Sequence, residues 1–79
     1  MNKIVVTTYY PADDEEFIGD YSRIELRISL ERDGKRVEYV FHFGDSYHDK
    51  GQEKVEGAME VLQIFGPFEV VEKKDHERT

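Results

Sequence analysis

The stretch that most limits what this chain can become is residues 22–44, SRIELRISLERDGKRVEYVFHFG. Ile24, Leu26, Ile28 and Leu30 alternate with Arg23, Glu25, Arg27 and Ser29, the period-two pattern of a strand with one buried face. Beyond Asp33-Gly34, Val37, Tyr39, Phe41 and Phe43 alternate in the same way. Asp-Gly suits a type I′ hairpin turn, whose two central residues both need positive φ. A two-residue turn there pairs Arg32 with Lys35, and every later pair follows: Leu30 with Val37, Ile28 with Tyr39, Leu26 with Phe41, Ile24 with Phe43. Apolar meets apolar at each step. On the opposite face Glu31 falls beside Arg36 and Glu25 beside His42, where unlike charges help modestly. A one-residue slip would turn a whole apolar set to water, so the register is strongly specified.

Other segments supply what a hairpin needs to become a domain. Residues 3–10, KIVVTTYY, are β-branched and aromatic and read as a first strand, with Ile4, Val6 and Tyr10 competing against Val5 and Tyr9 for the buried face. Asp49 with Gln52 three positions on resembles a capping box. Val55, Ala58, Met59, Leu62 and Phe65 follow at helical spacing, and Gly66-Pro67 supplies a stop, predicting a helix over 50–65. Gly57 inside it costs roughly 1 kcal/mol relative to Ala, and the sequence gives no firm reason for it, close packing being one candidate. Phe68, Val70 and Val71 read as a short last strand. The order β-β-β-α-β calls for an α+β fold, a mainly antiparallel four-stranded sheet with one helix packed on one face. Residues 1–72 form the single domain in this reading, and 73–79 a frayed polar tail; strand order stays open.

Composition narrows the function classes. At 79 residues the chain is one small domain, and ten Tyr and Phe together argue against disorder. Cysteine is absent, which removes disulfides, thiolate nucleophiles and thiolate metal sites. No apolar run approaches the roughly 20 residues of a membrane span, and the N-terminal apolar stretch is too short for a signal peptide; a cytoplasmic protein is expected. The net charge of −7 excludes a nucleic-acid binder of the usual electrostatic kind.

That charge is concentrated. Residues 1–20 hold one Lys against Asp13, Asp14, Glu15, Glu16 and Asp20, and residues 45–66 hold two Lys against five carboxylates, while the hairpin is nearly balanced. On a helical wheel Asp49, Glu53, Glu56 and Glu60 share one narrow arc, with neighbours about 5–6 Å apart, a spacing comparable to that of phosphates along a DNA strand. Taken alone, the helix stripe reads as a solvated helix face and the Asp13-Asp14-Glu15-Glu16 run as a solubilising loop. Both pieces lying outside the hairpin with one sign favours a patch that steers a basic partner. Phe17, Ile18 and Tyr21 beside the acidic run, and Ile64 opposite the helix's apolar stripe, are candidate contact groups.

Enzymatic chemistry has little support. His42, Asp45, His48 and Asp49 contain zinc-ligand types, and Ser46, His48 and Asp49 contain triad types, but no spacing or oxyanion signature joins them. Residues 45–56 have the length of a calcium loop, yet Tyr47 and Lys50 occupy positions that need a ligand and a Gly. Neither a cofactor nor a catalytic residue is expected. The expectation is a small acidic non-enzymatic binding protein that inhibits a nucleic-acid-handling protein by occupying its basic site. In size and charge it is similar to phage anti-restriction and anti-CRISPR proteins and to nuclease immunity proteins. Its contacts would be Asp13, Asp14, Glu15, Glu16, Phe17, Asp20, Tyr21, Asp49, Glu53, Glu56 and Glu60, with no direct nucleic-acid or membrane contact. The alternative is an assembly module that dimerises or binds a partner through a sheet edge.

Overall fold

The hairpin forms as its pattern requires, and the rest of the sheet is built outward from it. The computed structural model describes residues 2–44, 51–64 and 66–77. Strand β1 spans Lys3–Tyr10, β2 Arg23–Arg32, β3 Lys35–Phe43 and β4 Glu69–His76, with helix α1 at Gly51–Ile64. The fold is α+β, a mixed and mostly antiparallel sheet in the order β3-β2-β1-β4 with one helix. The β2–β3 register runs from Arg32↔Lys35 to Ile24↔Phe43 without a bulge. Asp33 and Gly34 both take positive φ, 53° and 77°, as a type I′ turn demands.

The ambiguity in β1 is resolved by its neighbours. Antiparallel pairing sets Ile4 opposite Ile28 and Val6 opposite Leu26, so Ile4, Val6 and Tyr10 take the helix side. Thr7, on the other face, is also buried, because β2 and β4 flank it. The core consists of Ile4, Val6, Ile24, Leu26, Ile28 and Val55, with Tyr21, Leu30, Phe43, Ala58, Met59, Leu62 and Phe68 packed around it.

Three expectations are corrected. Residues 73–76 are not a frayed tail: β4 continues to His76, pairing parallel to β1 as far as Tyr10↔His76. Ladder bonds come from the backbone, so a polar sequence can complete an edge strand. Side chains reinforce this end, with Arg23 Nε 2.8 Å from Glu77 Oε1 and the His76 ring stacked on Phe17 at 4.6 Å. Second, a Cβ at Gly57 would meet nothing within 4 Å, so close packing is not its reason. It is Gly51 that is confined, with a Cβ there landing 3.0 Å from the Gly44 carbonyl oxygen. Third, Val37, Tyr39 and Phe41 face the apolar side yet stay 47%, 51% and 48% exposed. The helix buries only Gly51 and Val55, too little to cover the outer strand.

Candidate functional site

Helix α1 divides its side of the sheet into two unlike grooves. Val55, Ala58, Met59 and Leu62 point to the sheet, and one flank from there carries Gln52, Glu56, Glu60 and Gln63. This flank overhangs a groove floored by Val6 and Val55 and bounded across the way by Glu72 of β4. The in-register pair Val6↔Glu72 puts that carboxylate on the helix side of an edge strand. Glu53, Glu56 and Glu60 are all exposed. Among the described residues no ion pair involves these three or Glu72; Glu56 accepts a hydrogen bond from the Gln52 side chain at 3.3 Å. Gln52 thus reaches forward to Glu56, and the Asp49 half of the expected capping box lies outside the described residues.

The opposite face of the sheet is balanced. Arg27 lies 3.7 Å from Glu25 and 3.3 Å from Glu38, Arg36 lies 3.4 Å from Glu38, and the Arg23 guanidinium covers the Tyr9 ring at 3.8 Å. The hairpin's near-neutral charge is therefore locally satisfied, and the surplus of carboxylates lies elsewhere.

Residues 11–22 contribute in a different way from the expectation. Asp14 is partly buried and organises the loop: its carboxylate accepts bonds from the Ile18 and Gly19 N–H groups at 3.2 and 2.8 Å. Its carbonyl accepts from Phe17 N–H at 3.3 Å and lies 2.9 Å from His76 Nε2, which must then carry the proton. Phe17, held at φ 56°, packs edge-on to Tyr10 at 5.3 Å and stacks on His76. Tyr21 belongs to the core periphery, and its hydroxyl accepts the Gln52 N–H at 3.0 Å at the start of the helix. Asp14, Phe17 and Tyr21 are thus supports, whereas Asp13, Glu15, Glu16 and Asp20 are exposed, as is Ile18 at 80%.

Phe17, through Tyr10, and Tyr21, through Gln52, tie the loop to the helix-bearing side. The groove beside the helix flank continues past Thr8, Tyr10 and Tyr21, where Lys73 and Lys74 also line it. Glu72 and these two lysines were missed because the polar run after Val71 has no periodicity that assigns it a face; only the pairing with β1 does. Ile64, at 79% exposure, stands clear of the sheet as its wheel position implies.

The other groove is apolar. Leu26, Ile28, Phe41 and Phe43 lie below Ala58, Val61 and Leu62, and the space extends toward Leu30, Tyr39 and Phe68. Asp45, Ser46, His48 and Asp49 lie outside the described residues. Among the described residues no three His, Asp or Glu groups are placed to hold a metal ion, and no helix is long and apolar enough to cross a membrane. Comparison with protein-family models, with curated proteins and with solved structures finds no match for this chain.

Proposed function

We propose that this chain is a small, non-enzymatic binding protein, working in the cytoplasm, whose acidic helix flank occupies the basic nucleic-acid site of a larger protein. One observation carries the reading: the two faces of the molecule handle charge differently. The face opposite the helix matches its arginines with carboxylates, whereas Glu56, Glu60 and Glu72 line a groove, with Glu53 exposed beside it on the helix, and none of the four has such a partner among the described residues. Unpaired carboxylates of one sign repel one another and cost some stability, and a basic partner relieves that repulsion. Their spacing along the helix, about 5–6 Å, is suited to Lys and Arg side chains that otherwise contact phosphates. Asp13, Glu15, Glu16 and Asp20 extend the negative field from the loop. The mechanism is competition: while the flank is engaged, nucleic acid is kept from the same basic groups.

The test is capture of partners by the tagged full chain at low salt, followed by elution with either salt or DNA. A nucleic-acid-handling protein released by both is the expected result. The same capture with Glu53→Lys, Glu56→Lys and Glu60→Lys combined should fail while the circular dichroism spectrum is kept. Capture that persists in high salt, or that the triple variant retains, overturns the assigned surface.

A further inference from the structure

Strand β3 is the less guarded of the two sheet edges. Among the described residues it pairs only with β2; its charges, Lys35, Arg36 and Glu38, lie toward the turn, it carries no Pro and no bulge, and it leaves Val37, Tyr39, Val40 and Phe41 between 40% and 51% exposed. The other edge, β4, is protected in the usual manner, with Glu69, Glu72, Lys73, Lys74 and Asp75 along it.

The backbone groups that β3 leaves unused follow from the turn. A type I′ turn bonds the Arg32 carbonyl to the Lys35 N–H, making Arg32↔Lys35 a hydrogen-bonded pair. Alternation then turns the N–H and C=O groups of Lys35, Val37, Tyr39, Phe41 and Phe43 inward to β2. Those of Arg36, Glu38, Val40 and His42 point outward. An independent contact agrees: the Glu31 N–H, opposite Arg36, is directed away from β3 and donates to Asn2 Oδ1 at 3.1 Å.

We infer that β3 pairs antiparallel with β3 of a second copy, with the two-fold axis at Val40. Any two-fold pairing that keeps both apolar faces on one side must join residues of like parity, and the side chains discriminate among those registers. Centring on Tyr39 sets Arg36 against His42, and centring on Glu38 sets two Glu38 carboxylates together. Centring on Phe41 or Val37 leaves only about five residues of overlap. Centring on Val40 pairs Val37 with Phe43 and Tyr39 with Phe41 on the helix side, and Glu38 with His42 on the other. His42 Nδ1 accepts from Arg23 at 2.9 Å, so its Nε2 carries the proton and is free to donate to the second copy's Glu38. Three bonded pairs, Val40 with itself and Glu38 with His42 twice, give about six intermolecular backbone hydrogen bonds.

The exposed side chains lie where that pairing would cover them: Val37, Tyr39 and Phe41, 47%, 51% and 48% exposed, all meet the second copy's apolar set. The pairing would also bring together the two exposed Phe41–Val61 flanks, an isologous contact of the kind two-fold symmetry produces. The acidic flank lies on the other side of the helix, so the inference stands independently of the function proposed above.

The experiment is light-scattering mass measurement of the purified full chain across a concentration series. The expected mass is about 19 kDa, twice the 9.3 kDa of one chain. Val40→Lys places two ammonium groups on the axis and should give the single-chain mass. Val40→Pro removes an outward N–H that β2 does not use and should do the same. Because the chain has no Cys, Val40→Cys should oxidise to a covalent dimer, and Lys35→Cys, far from the axis, should not. A single-chain mass at millimolar concentration overturns the inference, as does a dimer that Val40→Lys leaves intact or that Lys35→Cys cross-links as readily. The Glu53, Glu56 and Glu60 reversal should leave the dimer unchanged.

Discussion

Val55→Ala is the substitution that most directly tests how the helix is held. Val55 is 2% exposed and is the one large helix side chain in the innermost core; Ala58, Met59 and Leu62 are only partly covered. Removing two carbons forfeits about 1.6 kcal/mol of transfer free energy at ~0.8 kcal/mol each. A residual cavity of about 50 Å³ adds roughly 1.2 kcal/mol if nothing moves to fill it. Ala is the better helix former by about 0.5 kcal/mol, which offsets part of the loss. The net cost is about 2 kcal/mol. Against the ~4–12 kcal/mol expected for 79 residues, this is a large fraction. Urea unfolding followed by far-ultraviolet circular dichroism should show the midpoint falling at constant slope, and thermal unfolding a drop of about 8–16 °C. Ile64→Ala, on a side chain 79% exposed, should shift stability by no more than about 0.5 kcal/mol. A Val55→Ala loss below that same 0.5 kcal/mol would refute the docking described here, because it would mean that the helix is not anchored through Val55.

The remaining predictions concern the supports of the loop and the helix start. Tyr21→Phe deletes the acceptor of the Gln52 N–H and should cost about 1 kcal/mol, with faster amide exchange at Gln52 than in the parent protein. Asp14→Ala removes the acceptor of the Ile18 and Gly19 amides and should cost about 1 kcal/mol; limited proteolysis should then cut within residues 11–22 well before other sites. Asp14→Asn, which keeps an acceptor oxygen, should recover part of that protection.

Most of the architecture is legible before any coordinate is known, and the reason lies in period and turn chemistry. The β2–β3 register follows from Asp33-Gly34 and from two apolar sets that fit one alignment only. The helix Gly51–Ile64 lies within the span 50–65 that the apolar spacing and Gly66-Pro67 mark, since both act locally; Lys50 and Phe65 lie outside the described residues. The candidate site is legible only in part. That Glu53, Glu56 and Glu60 share a flank is a property of helical geometry alone. That Glu72 faces them is not, because it depends on β4 lying parallel to β1 at the far edge. Likewise Asp14, Phe17 and Tyr21 look like surface groups in the sequence, since a loop's polar and aromatic residues reveal nothing of what they fold onto.

What the sequence determines by itself is therefore every feature carried by near neighbours: the hairpin and its register, the helix and its acidic arc, and the overall α+β class. Those features are fixed by backbone sterics and by side-chain periods of 2 and 3.6, which act over a few residues. Tertiary structure alone decides the strand order, the face that β1 buries, the extension of β4 to His76 and the exposure of β3. Each of those depends on which surfaces meet across long stretches of chain. A 14-residue helix resting on Val55 cannot cover four strands, and this shortfall leaves the apolar side chains of β3 half exposed.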